Sequence, residues 1–266
     1  MHMIARHLST APAASRTTAL LRLAKLAVEA VVAATFVAGF GAAGRAGAAE
    51  PWPEVPLPPK ADVQWVAQSM RVNGVPTRVM QFQSRAGRSE IAEYYQAHWS
   101  GGYEHKPSVH ALGEATVVGQ MHGPYLMTVK VEDAARGTSV GLISVAQVVG
   151  SKMGRDPGEL PLMTGAHVIS VVESDDPGKH SRAVMIVSPQ PASSVAQFYQ
   201  ASLVNAGWMQ VQGNDVPRQP GAPAASLVVF ARGESEMQLS IVAARNGRAS
   251  TLLANLVTKD TGLSAN

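Results

Sequence analysis

The chain has 266 residues, of which 46% are apolar and 15% are charged, and it contains no cysteine. This apolar share is large enough to bury a core, which excludes a chain that is disordered throughout, and the length allows one large domain or two smaller ones. The absence of cysteine excludes disulfide scaffolds, thiolate metal sites, cysteine nucleophiles and a lipid-modified N-terminal cysteine.

The net charge of +3 comes from the first 49 residues. Once these residues are set aside, the remainder of the chain is close to neutral. A protein that binds nucleic acid carries its basic residues on its folded part, so this composition argues against a nucleic-acid partner. The charged residues of the leader are Arg6, Arg16, Arg22, Lys25, Glu29 and Arg45.

Residues 1–49 are predicted to be a signal peptide. Ala30–Gly44 is uncharged and mostly small or apolar, and Ala46–Ala49 supplies the small residues that a signal peptidase requires. A helix of that apolar run is about 22 Å long, shorter than the roughly 30 Å hydrocarbon core of a bilayer. We therefore expect cleavage, no stable membrane span, and a periplasmic or secreted protein. The alternative is an uncleaved anchor formed by residues 20–44.

A glycine pattern typical of dinucleotide sites, Gly39–Gly44, lies inside this leader. That motif needs a strand before it and a helix after it, and neither flank is predicted here. We therefore expect no cofactor.

The exported part begins with Glu50–Lys60, which has five prolines in eleven residues and is predicted to be an extended tether. Two similar stretches follow, residues 61–148 and residues 160–258, joined by a glycine- and proline-containing linker, Val149–Glu159. Residues 259–266 are expected to form a tail. The similarity is clearest where Glu90–Ala97 corresponds to Ser194–Ala201 at an offset of 104 residues. It indicates a duplicated module.

Each module is predicted to have the order β-β-α-β-β-β. In the first, Asn73-Gly74 lies between two apolar-alternating segments and favours a tight hairpin turn. The predicted helix of the second begins with a capping box, Ser194 to Gln197, and ends at Gly207, with Trp208 folding back on its last turn. Short turns then connect three further strands. The fold class is therefore predicted to be α+β, as two tandem modules of one helix packed on a curved antiparallel sheet.

Reactive motifs are absent from the sequence. It has no G-x-S-x-G nucleophile pattern, no H-E-x-x-H zinc pattern and no P-loop, so no catalytic residue is assigned. Histidine and carboxylate side chains do gather in the first module, and imidazole is a common ligand of zinc. The candidate metal ligands are His98, His105 and His110. The matching region of the second module has glutamine and asparagine instead, so the fold does not need these histidines.

The function expected from these observations is an exported bacterial envelope protein with a non-catalytic binding or scaffolding role. Its partner is expected to be an envelope protein or a glycan, because exposed strands of an open sheet can add a partner's strand or grip a peptide or a sugar chain. The alternative is a periplasmic metal-binding protein or enzyme that uses the histidines of the first module.

Overall fold

The computed structural model describes residues 51–101, 106–216 and 225–259, without the side chains of residues 136 and 214–216. The predicted signal peptide, residues 1–49, lies outside the described residues. Residues 260–266 of the predicted tail also lie outside the described residues, whereas Lys259 ends a strand.

Twelve strands and two helices make up the described chain. The helices are α1 (Arg88–Ser100) and α2 (Ala192–Asn205), and Ala135–Gly137 forms a single 3₁₀ turn. The strands are β1 (Ala61–Val72), β2 (Val75–Ser84), β3 (Ser108–Leu112), β4 (Ala115–His122), β5 (Tyr125–Asp133), β6 (Ser139–Gln147), β7 (His167–Asp176), β8 (Lys179–Ser188), β9 (Met209–Val216), β10 (Ala225–Arg232), β11 (Ser235–Ala243) and β12 (Ser250–Lys259).

The prediction of two tandem β-β-α-β-β-β modules is wrong. All twelve described strands belong to one antiparallel sheet, in the order β3-β4-β5-β6-β2-β1-β7-β8-β12-β11-β10-β9. Each helix is followed by four strands and not by the predicted three. The additional strands are β3 and β9. These two strands form the ends of the sheet, where exposure on both faces removes the apolar alternation that identifies an inner strand.

A short pairing joins the two halves of the sheet, β1–β6 and β7–β12. Only Met70, Arg71 and Val72 of β1 pair with β7. The ladder is extended by Asn73, whose side-chain oxygen Oδ1 accepts a hydrogen bond from the N–H of Val171 at 2.9 Å. Asn73 has a φ of 51° and Gly74 a φ of 81°, which confirms the predicted tight turn. The first hairpin therefore makes both its own turn and the contact with the second half.

Both helices lie on the same face of the sheet. Residues that face each other across a ladder share a face, and successive residues of a strand alternate between faces. Phe82 of β2 packs under α1, so Val75 points to the opposite face, together with its partner Val72. Val72 pairs with Val172, whose neighbour Val171 packs under α2. The opposite side of the sheet, which we call the helix-free face, is therefore continuous across the junction.

Each half has its own core between its helix and the sheet. Under α1, Tyr95 and Trp99 pack against strands β4 to β6, and under α2, Tyr199 and Leu203 pack against β8 to β12. A segment before each half adds buried side chains, Val55 and Pro58 in the first and Leu160 in the second. The proline-rich segment is thus extended but packed against the first half.

The ends of α2 show one prediction confirmed and one wrong. Gly207 has a φ of 82°, and the N–H of Trp208 donates to the carbonyl oxygen of Leu203 at 2.9 Å, which is the predicted left-handed cap. The predicted capping box is wrong. The helix begins at Ala192, two residues before Ser194, with Pro191 as the N-cap residue and no side-chain cap. Ser194 therefore lies inside the first turn of α2 and not at the N-cap position from which a side chain bonds the first free N–H groups.

Candidate functional site

The histidines predicted as metal ligands lie on different elements. His98 is near the end of α1, where its Nδ1 is 2.8 Å from the carbonyl oxygen of Tyr94 and its ring lies 3.9 Å from the Tyr94 ring. His110 is exposed on β3, the first strand of the sheet. His105 lies outside the described residues. The metal site stays a prediction.

The described part of the chain contains no group of three or more histidine, aspartate or glutamate side chains placed to hold a metal ion. Within those same residues, neither helix has the length and apolar content needed to cross a bilayer.

The helix–sheet layers contain one buried tyrosine each. Tyr95 and Tyr199 are both the eighth residue of their helices, and each ring meets the preceding aromatic ring edge-on at 5.1 Å. Burial raises the pKa of both hydroxyls, with a further contribution from Tyr94 for Tyr95, and it raises the pKa of Tyr199 to about 12. Both hydroxyls therefore keep their protons well above neutral pH.

The helix-free face of the first half carries buried apolar side chains together with polar ones. Gln81 of β2 donates to Gln64 of β1 at 3.4 Å, both being exposed. Farther along the same face, Thr128 and Ser144 share a hydrogen bond of 2.5 Å. Lys130 lies 2.6 Å from Glu132. Thr128 and Ser144 are buried, as are Val75 and Val79 on the same face, so the polar groups that a partner could reach here are the exposed amides of Gln64 and Gln81.

The helix-free face of the second half carries apolar side chains that are partly exposed. Register places Leu227, Val229 and Leu253 on it, because Val228 and Ala254 pack under α2. All three are half-buried, and Val242 on the same face is 38% exposed. Antiparallel sheets usually carry polar residues on the face that no other layer covers. This surface departs from that pattern and is the main candidate for contact with a partner.

A charged cluster lies at the junction on the helix side of the sheet. The guanidinium of Arg182 is 3.5 Å from Glu173 and donates to the carbonyl oxygen of Asp156 at 2.9 Å. Register puts Arg71 of β1 opposite Glu173. These contacts connect β7, β8 and the segment between the halves, which suits a structural role at the junction.

The sequence did not predict either half of the helix-free face. Strand periodicity could have assigned Leu227, Val229 and Leu253 to one face, since they alternate with buried residues. It could not have shown which face the helices cover, because that follows from the pairing of β1 with β7.

Comparisons with known proteins give limited likenesses. A family model described as START domain-like matches residues 168–251, a segment that runs from β7 through α2 into β12. No curated protein matches the chain.

Three solved structures are similar to this chain at low TM-scores. The apo immunity protein TplEi of the T6SS from Pseudomonas aeruginosa is 12% identical, with a TM-score of 0.25, over 77% of this chain and 84% of that one. TplEi in complex with the "L" peptide is 14% identical, with a TM-score of 0.23, over 77% and 83%. The acyl-CoA thioesterase II TesB2 from Mycobacterium marinum is 11% identical, with a TM-score of 0.16, over 76% and 96%. Such scores do not establish a shared fold.

Proposed function

We propose that this chain is an exported protein of the bacterial envelope that binds another protein without catalysing a reaction. The observation that carries the proposal is the placement of both helices on one side of a twelve-stranded sheet. The opposite face is partly exposed in the second half of the sheet, where Leu227, Val229 and Leu253 are half-buried, whereas Val72, Val75 and Val79 on the first half of that face are buried.

The composition of the helix-free face favours a protein partner over a glycan. Its first half offers the exposed amides of Gln64 and Gln81, and its second half offers half-buried aliphatic side chains. A protein surface presents both kinds of group in one interface, with an apolar centre and a polar rim.

The binding proposal is tested by crosslinking the protein in intact cells, purifying it through a C-terminal tag and identifying the attached proteins by mass spectrometry. Gln81→Arg and Val242→Arg each place a charge on the helix-free face. Val204→Arg is the matched control, because Val204 is 51% exposed on α2, on the other side of the sheet. We expect the two face variants to lose the same crosslinked protein and the control to keep it. Retention in all three variants contradicts the proposal.

Export is tested by the N-terminus of the mature protein. The proposal predicts a chain that begins at Ala49 or Glu50 and is recovered from the periplasm or the medium. A chain that keeps residues 20–44 supports the anchored alternative and contradicts cleavage.

A further inference from the structure

Strand β9 is the last strand of the sheet, and among the described residues it pairs with β10 alone. Residues 209–213 are all exposed, with Met209 at 69% and Val211 at 58%. The outer edge of β9 therefore presents backbone N–H and C=O groups beside exposed apolar side chains. Such an edge is a template for another strand.

Two other exposed edges of the sheet, those of β3 and β1, are better protected against pairing. At the opposite end, β3 has only five residues and lies between the exposed charges of Lys106 and Glu114. The part of β1 beyond its short contact with β7 contains two register irregularities and the exposed Asp62. Short length, charge and bulges are the features by which edge strands avoid self-association.

The β9 edge has fewer of these features. It is eight residues long, has no charged residue from Met209 to Asn214, contains no proline, and has a single register irregularity at Val211. An eight-residue strand extends about 26 Å, which is long enough for a full ladder with a second strand.

We propose that two copies of this chain pair through antiparallel contact of their β9 strands. Pairing of β9 with β9 is isologous, so it closes at a dimer, whereas pairing of β9 with β3 would continue into a fibre. The protection of β3 disfavours the fibre. In an antiparallel pairing of the uncharged residues of β9, no like charges oppose each other, so identical strands are compatible.

Because the contact consists of one strand from each copy, the dimer is expected to dissociate on dilution. Sedimentation velocity of the purified mature protein over a range of concentrations measures this directly. Val211→Lys adds a charge at the edge, and Gln212→Pro removes a backbone donor. On the protected edge, Val109→Lys and Ala111→Pro are the matched controls, since both residues are exposed on β3. Circular dichroism melting curves show whether each variant folds.

The expected result is a dimer for the unchanged chain and for both β3 variants. Val211→Lys is expected to be a monomer, and so is Gln212→Pro if it folds. A monomer at every concentration overturns the proposal. A dimer that persists in folded Val211→Lys, or one lost in the β3 variants, overturns it as well, because the interface then lies elsewhere. The partner-capture experiment uses other residues, so its outcome is independent of this one.

Discussion

Two tyrosines at matching positions differ in one contact. The hydroxyl of Tyr95 donates to the carbonyl oxygen of Pro56 at 2.6 Å, whereas the buried hydroxyl of Tyr199 has no partner among the described residues. A buried hydroxyl without an acceptor is unfavourable, because it has lost its hydrogen bonds to water. The Tyr95 bond also fixes the proline-rich segment to α1.

Replacing these tyrosines by phenylalanine tests the difference. Tyr95→Phe is expected to lower the free energy of unfolding by about 1 kcal/mol, since it removes the hydrogen bond and leaves the carbonyl oxygen of Pro56 without this donor. Tyr199→Phe, the matched control, removes no such bond and is expected to be neutral or slightly stabilising. Urea denaturation of both variants measures the two values. Equal losses would show that the Pro56 contact does not stabilise the fold.

The buried hydroxyls also predict a loss of stability in alkali. The pKa of Tyr199 rises from 10.0 in the unfolded chain to about 12 in the fold, so the folded state holds its proton more tightly. The contribution of the protonated Tyr199 hydroxyl to the free energy of unfolding is complete below pH 10 and is lost as the pH rises toward 12. Between these limits the unchanged protein is expected to lose about 2 kcal/mol more than Tyr199→Phe. Urea denaturation at pH 9 and pH 11.5 checks this, and parallel losses in the two proteins contradict it.

At the scale of elements, the two helices end differently although glycine follows both. Gly207 has a φ of 82° and closes α2 with two backbone hydrogen bonds. Gly101 after α1 has a φ of −100°, which any residue can adopt. Glycine is therefore required only after α2.

Alanine substitution separates the two helix ends. Gly207→Ala is expected to lower the melting temperature, with a cost of about 1 kcal/mol for placing a side chain in the left-handed region. Gly101→Ala is expected to be neutral or slightly stabilising, since no atom lies within 4 Å of the added carbon. A Gly207→Ala variant as stable as the unchanged protein contradicts this account of the helix end.

Most inner elements could be predicted from the sequence because their burial produces a regular pattern. The helices, the first hairpin and the glycine cap follow from periodicity and turn residues. The edge strands could not be predicted in this way. The sequence Ser108–Leu112 contains His110 and faces solvent, so it resembled a loop with ligand residues. Residues 209–213 alternate with glutamine and are all exposed.

At the scale of the whole molecule, three residue pairs and Asn73 join two similar groups of strands into one sheet. Local sequence patterns describe each hairpin but not which hairpins lie side by side. The pairing of β1 with β7 brings together residues about 100 positions apart, and no short-range signal encodes it. The position of the helix-free face depends on this pairing, so the candidate surface could not be predicted either.

The contacts at this junction restrict which residues can occupy the turn between β1 and β2. A carbon added to Gly74 would lie 2.5 Å from the carbonyl oxygen of Lys152, and the residue also has a positive φ. Asn73 in turn accepts the N–H of Val171 and so continues the ladder into the second half. The turn between β1 and β2 thus connects three segments: the first hairpin, the segment after β6, and β7.

The continuity of the sheet across the halves is tested most directly by a disulfide between β1 and β7. The chain has no native cysteine, so no other disulfide can compete with the introduced pair. Met70 faces Ser174 in the ladder, at a spacing compatible with a disulfide. Oxidised Met70→Cys/Ser174→Cys is predicted to form an intramolecular link, identified by mass spectrometry of the joined peptides. The control pair Met70→Cys/Ser240→Cys spans from β1 to β11 and is predicted to stay reduced. Failure of the first pair to link, or equal linking of both, contradicts the single twelve-stranded sheet.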